Sequence, residues 1–169
     1  MLYFAYGSNM SAERLVARVT NAGVRGHALL TDHALYCDKR GADGSGKFTI
    51  APQKNEQVHG VLFELQSDAR QILDGFEGPG YLAKEIEVDV ANQSFTALTY
   101  QALPEYRDSR LLPFGWYLAF AIAGARQHAL PQYWIEQFEA WPNQTDPITE
   151  RDQLNRAILK QASEYFSRD

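Results

Sequence analysis

The chain has 169 residues, 45% of them hydrophobic and 12% aromatic, which suits one domain with a sizeable core. Its formal charge is -5, and no run of Lys and Arg forms a basic stripe, so nucleic acid is not an expected partner. A single cysteine, Cys37, has no internal partner for a disulfide. The N-terminus does not read as a secretory signal, and the most apolar stretch, residues 111–125, is shorter than the roughly 20 residues a membrane span needs. The expectation is a cytoplasmic protein without a membrane anchor.

Residues 2–6 form a short apolar, aromatic run that stops at Gly7 and reads as a strand. After the turn signal Gly7-Ser8-Asn9, Ser11 is placed as an N-cap, with Glu13 in the first turn and Leu15, Val16 and Val19 at helical spacing. Residues 24–37 suit one longer strand or two short ones, and residues 41–46 a flexible loop. Residues 48–51 and 58–65 are predicted as separate strands joined by a polar turn at 54–57. Ser67 is predicted to cap a short helix through Leu73 that ends at Gly75, and residues 76–81, with Gly78, Pro79 and Gly80, are predicted as a loop.

Residues 85–90 and 94–103 alternate in polarity, which predicts two half-buried strands with a hairpin turn at 91–93. Pro113 opens an apolar helix to about Arg126, and Leu130-Pro131 opens another to about Ala140. Residues 141–147 hold two prolines and read as a linker, after which Thr149 and Asp152 resemble a capping arrangement. The tail helix places Leu154, Ala157, Ile158, Ala162, Tyr165 and Phe166 on one face, to pack on the domain or on a second subunit. The expected organisation is an α+β domain over 1–141 followed by a linker and amphipathic helix over 142–169, as a monomer or homodimer.

Several motifs fail on inspection. Gly41-Ala-Asp-Gly-Ser-Gly-Lys47 approaches a phosphate-binding Walker loop, but Phe48 stands where Ser or Thr should hold magnesium, and a strand rather than a helix is predicted to follow. His27, His33, His59 and His128 have no metal-ligand spacing. Ser8 lacks the flanks of a nucleophile elbow, and Cys37 reads as a packing residue.

Two segments carry candidate chemistry. Tyr6-Gly7-Ser8-Asn9-Met10 joins a strand to a helix start, where amide hydrogens lack intrahelical partners and polar oxygens or anions are attracted; the same residues also make an ordinary turn. Glu77 lies within Leu73-Asp-Gly-Phe-Glu-Gly-Pro-Gly-Tyr81, and reads either as a solvated loop residue or as a carboxylate held by a tight loop.

Taken together these segments resemble the γ-glutamylcyclotransferase-like family, which includes γ-glutamylamine cyclotransferases and AIG2-like proteins. The likeness rests on Leu2-Tyr-Phe-Ala-Tyr-Gly-Ser-Asn-Met10, with Met10 in place of the usual Leu, on Val58-His-Gly-Val-Leu-Phe63, and on Leu73-Asp74 with Glu77-Gly78. It continues through Tyr81 ahead of Ile86-Glu-Val88, then Tyr117 before Gly124-Ala125 and Leu130-Pro131. It spans roughly residues 1–141, with the tail unmatched. The resemblance implies a small mixed β-barrel or strongly curved sheet with flanking helices and a pocket at one barrel mouth.

It also implies an activity: release of 5-oxoproline from a small γ-glutamyl compound, the substrate's α-amine attacking its own γ-carbonyl. Glu77 is then the acid/base catalyst, and the amides of residues 7–10 bind either the α-carboxylate or the developing oxyanion. Tyr6 and Tyr117 are carried over as pocket hydrogen-bond donors or as core residues. No metal and no organic cofactor enters this scheme. Other readings are a γ-glutamylamine or γ-glutamyl-deprotecting enzyme of the same fold, or a ligand-binding module without catalysis.

Overall fold

Neighbouring side chains on a strand point to opposite faces, yet Tyr3, Phe4 and Ala5 of strand β1 (Leu2–Ala5) are all buried. The strand must therefore lie between two apolar layers, and the topology supplies them. In the computed structural model, which describes residues 1–19, 21–66 and 68–166 with side chains as far as residue 160, five strands close into a barrel. They are β1, β2 (Gly23–Arg40), β3 (Gly46–Glu64), β4 (Tyr81–Val90) and β5 (Gln93–Ala102), in the order β1-β3-β2-β4-β5. All pairings are antiparallel except the closing one, where Tyr3 of β1 lies in parallel beside Leu98 of β5.

The helices are α1 (Ala12–Val16), α2 (Ala69–Glu77), α3 (Gly115–Gln127), α4 (Gln132–Glu139) and α5 (Thr149–Phe166). Apolar α3 buries Trp116, Tyr117, Leu118, Phe120, Ala121 and Ala125. The result is an α+β barrel with flanking helices, the fold class that the resemblance implies. Among the described residues no helix is long and apolar enough to cross a membrane.

Residues 24–37 form one longer strand, β2, the first of the two arrangements the sequence allows, whereas the two strands predicted over 48–51 and 58–65 are one, β3. The register explains the polar interruption: Thr31 pairs with Gln57 and His33 with Pro52, so Asp32 alone faces the excursion that holds Asn55. Asn55 (φ 66°) and Asp32 (φ 54°) both turn left-handed there, and the Asn55 N–H donates to the Asp32 carboxylate at 2.9 Å. The predicted turn is thus a bulge inside a continuous ladder.

Helix α2 does not stop at Gly75 but runs to Glu77, and Gly78 (φ 67°) takes the left-handed cap position that the sequence reading gave to Gly75. Phe76 and Glu77 are consequently helical rather than loop residues. Ser67, predicted to start this helix, lies outside the described residues. The β4–β5 hairpin turns on Ala91 (φ 49°) and Asn92 (φ 65°), the paired positive φ of a tight two-residue turn.

In the C-terminal segment, Ile158 and Leu159 pack against the core, whereas Leu154 is 65% exposed and does not share the predicted buried face. The side chains of Ala162, Tyr165 and Phe166 lie outside the described residues. The predicted linker is anchored by buried Asp146, whose carboxylate accepts the Trp116 indole N–H at 2.7 Å, the Ile148 N–H at 2.9 Å and Arg151 at 2.6 and 2.7 Å. The Arg151 hydrogen bonds hold this carboxyl far below the usual carboxylate range.

Candidate functional site

The loop after β1 and the C-terminus of α2 meet at one mouth of the barrel. Residues Ser8–Met10 wind into a single 3-10 turn in which the Met10 N–H donates to the Gly7 carbonyl at 2.9 Å and the Ser11 N–H to that of Ser8 at 3.3 Å. Among the described residues the N–H groups of Gly7, Ser8 and Asn9 and the Ser8 hydroxyl donate to no protein acceptor. Ser11 caps α1, accepting from the Arg14 N–H, so the predicted strand, tight loop and helix are present. A Cβ on Gly7 would lie 3.2 Å from the Phe48 Cβ and 3.4 Å from the Tyr117 hydroxyl, so this glycine admits neighbouring protein side chains rather than setting a special backbone angle.

Asn9 ties this loop to Glu77. Its Nδ2 donates to Glu77 Oε1 and to the Tyr3 hydroxyl, both at 2.9 Å, and its Oδ1 accepts from Arg18 Nη1 at 2.9 Å. Arg18 Nη1 also stands 3.6 Å from Glu77 Oε1. Each contact made by Glu77 falls on Oε1; Oε2 has no hydrogen bond to a described residue and is available to a ligand. Burial raises the Glu77 pKa above the ordinary value, opposed first by the Arg18 charge and the Asn9 hydrogen bond, then by Lys39 and Arg14. The net effect is upward.

A recess of about 40 Å³ lies beside it, walled by Tyr3, Tyr6, Tyr81, Tyr100 and Tyr117 together with residues 7–9 and Glu77. It adjoins an outer cleft of about 580 Å³, with Ser8, Glu77, Tyr81 and Tyr117 common to both. The hydroxyls differ in what they can offer. Tyr6 donates to the Tyr100 carbonyl and Tyr81 to the Phe48 carbonyl, so their protons are engaged. Tyr117 instead accepts from the Phe48 N–H at 2.9 Å, which leaves its own proton for a ligand. Burial pushes all three phenols up, keeping them neutral.

The structure thus gathers Tyr6, Gly7, Ser8, Asn9, Glu77 and Tyr117 around one recess. Met10 does not join them: its side chain is fully buried and its amide is bonded to Gly7. The Asp74 carboxylate is held by the Tyr100 hydroxyl at 2.6 Å. Sequence reasoning missed Tyr3, Arg14, Arg18, Lys39 and the placement of Tyr81. Arg14 and Arg18 had a signal, two cations four residues apart just after the loop; Lys39 had none. The rejected Walker-like loop forms a wall of the cleft, closed on itself by Asp43, and β3 rather than a helix follows it.

Comparison with known proteins bears on the family and the fold. Residues 3–119 match the family model described as gamma-glutamyl cyclotransferase, AIG2-like. The chain is 29% identical over 145 residues to the gamma-glutamylcyclotransferase of Homo sapiens, covering 82% of this chain and 77% of that protein. The Bos taurus gamma-glutamylcyclotransferase is 29% identical over 136 residues, with 77% and 72% covered. Among solved structures, a gamma-glutamyl cyclotransferase superposes with a TM-score of 0.83 at 25% identity, covering 95% of this chain and 98% of that one. The human protein loc79017 gives 0.81 at 26% identity over 90% and 95%. A likeness over 95% of the chain reaches past Trp141, so the tail is not unmatched in structure. The chain is an enzyme that belongs to the gamma-glutamyl cyclotransferase, AIG2-like family.

Proposed function

We propose that the protein releases 5-oxoproline from a γ-glutamyl compound, with Glu77 as the acid/base group. One observation carries this reading: a largely buried carboxylate, held through a single oxygen, lines one recess with amide and hydroxyl donors that have no protein partner among the described residues. A carboxyl-sized group fits the recess, and the N–H groups of Gly7, Ser8 and Asn9 with the Tyr117 hydroxyl can receive either the substrate α-carboxylate or the oxyanion that develops on the γ-carbonyl.

Glu77 takes a proton from the α-ammonium, and the freed amine attacks the γ-carbonyl carbon. The new C–N bond closes the five-membered ring, the old C–N bond breaks, and Glu77 delivers a proton to the departing nitrogen. The ammonium loses two protons and the leaving amine gains two, so the reaction is proton-neutral and consumes no water. Because nucleophile and electrophile belong to one molecule, holding it folded supplies a large effective concentration, and the protein has mainly to fix geometry and move protons. A single buried thiol, Cys37, supports placing this chemistry in a reducing, cytoplasmic compartment.

A panel of γ-glutamyl compounds assayed for 5-oxoproline by mass spectrometry tests the reading, and its pH dependence tests the role of Glu77. The base must be ionised, so kcat/KM is expected to rise with pH along an acid limb that lies above the ordinary glutamate value of about 4.3. Arg18→Met removes the charge that most favours ionisation and is expected to move that limb to higher pH. An acid limb unmoved by this substitution contradicts the assignment.

A further inference from the structure

The outer cleft is basic in an acidic protein. Arg14, Arg18, Lys39, Arg40 and Lys47 line it against two acids, Asp43 and Glu77, while the whole chain carries -5. Arg18 is held by Asn9 and Glu77, Lys47 by Asp43 at 2.8 Å, and half-exposed Arg40 stands 3.8 Å from Asp108. Lys39 and Arg14 have no such partner among the described residues. Lys39 is 4% exposed, and its ammonium sits 4.4 Å from the centre of the Tyr81 ring with no hydrogen bond or ion pair. Arg14 lays its guanidinium 4.7 Å from the centre of the Phe120 ring and 5.6 Å from that of Trp116, and its buried Nε has no hydrogen-bond partner.

Buried cations are ordinarily paired, because an unpaired one bears the full cost of leaving water. Neither acid of the cleft pairs with them directly: Asp43 is closed on Ser45 and Lys47, and Glu77, whose charge both cations feel at longer range, is bonded to Asn9 with Arg18 beside it. Direct anionic partners for both cations are left to a ligand. We infer that the leaving group is a dicarboxylic amino acid, with Lys39 and Arg14 as the specificity residues that receive its two acidic groups. This rests on the γ-glutamyl reading above. The glutamyl α-carboxylate has donors of its own in the recess, so Lys39 and Arg14 are left for the departing half. An amine leaving group would strand both, a neutral amino acid one.

The test compares kcat/KM for 5-oxoproline release from γ-glutamyl-glutamate, γ-glutamyl-alanine and γ-glutamyl-ethylamide, which carry two, one and no acidic groups on the leaving half. The expected order is descending, by roughly tenfold or more for each group removed. Lys39→Met is expected to lower the value for γ-glutamyl-glutamate roughly tenfold more than that for the ethylamide, with Lys39→Arg retaining most of the preference. Its fold should survive, since a buried unpaired cation gives way to an apolar chain of similar length, and a melting curve checks this. A flat or reversed order in the parent, or equal loss on all three substrates in Lys39→Met, overturns the inference and leaves the cyclotransferase reading intact. Release from none of the three overturns both.

Discussion

Glu77→Gln is expected to fold, to bind a γ-glutamyl ligand and to release 5-oxoproline about 10³- to 10⁴-fold more slowly than the parent. Glutamine keeps the shape and can still accept from Asn9 Nδ2, but its amide neither takes the α-ammonium proton nor protonates the leaving nitrogen. One group serves both transfers, which places the loss toward the upper end of what general acid/base catalysis supplies. Stability should not fall with activity. Burial raises the Glu77 pKa, so folding disfavours its ionised form, and stability from this group is lost as pH rises through the folded-state pKa. The neutral amide removes that cost. Asp74→Asn is the matched control: its carboxylate faces Tyr100 rather than the recess, and a small effect on turnover is expected.

Gly124→Ala should do the opposite, damaging the fold and the site together. A Cβ at this position would stand 2.3 Å from the Met10 carbonyl carbon and 2.4 Å from the Ser11 nitrogen, both backbone atoms of the loop that carries Asn9. Neither can rotate away, so α3 must retreat or the loop must shift. Overpacking of this kind costs about 3 kcal/mol, or roughly 6–12 °C in melting temperature for a domain of this size. Turnover should fall as well, because Asn9 moves with the loop. Gly75→Ala calibrates the result: nothing lies within 4 Å of its Cβ, and alanine is the better helix former inside α2, so a small gain is expected. Thermal melts and kcat/KM for the two variants check both halves; a Gly124→Ala melt within 2 °C or so of the parent would contradict the close packing.

Much of this site was legible in the sequence, within limits set by distance along the chain. The β4–β5 hairpin was readable because its pattern and its turn lie within one short window. The N-terminal strand, loop and helix were readable for the same reason, with Ser11 announcing the cap. The joining of residues 48–51 to 58–65 was hidden, because the polar excursion at Asn55 is held by Asp32 on another strand. Likewise the cap of α2 was set three residues early, since glycine marks a helix end only where the backbone turns left-handed, and that happens at Gly78 rather than Gly75.

The candidate residues 6–9, Glu77 and Tyr117 came from local motifs and a family resemblance, and the fold brings them together. Their partners could not be read the same way. Asn9 and Glu77 are separated by 68 positions, and Tyr117 and Phe48 by 69, so their hydrogen bonds exist only once the barrel has closed. Lys39 lies next to Asp38 and Arg40 in the sequence, where nothing sets it apart. The register shift between Tyr36 and Lys39 precedes its burial, and bulges of this kind re-aim side chains. Met10 was included because it belongs to the signature, and its role proves to be packing beneath the loop, against α3.

Attack by the substrate's own amine, with no water involved, is tested most directly by turning over γ-glutamyl-alanine in H₂¹⁸O and weighing the products. Cyclisation at Glu77 is expected to give 5-oxoproline and alanine in equal amounts, with no ¹⁸O in the 5-oxoproline and no glutamate above the enzyme-free control. Glutamate carrying ¹⁸O in its γ-carboxyl would show hydrolysis in place of ring closure and would contradict the mechanism.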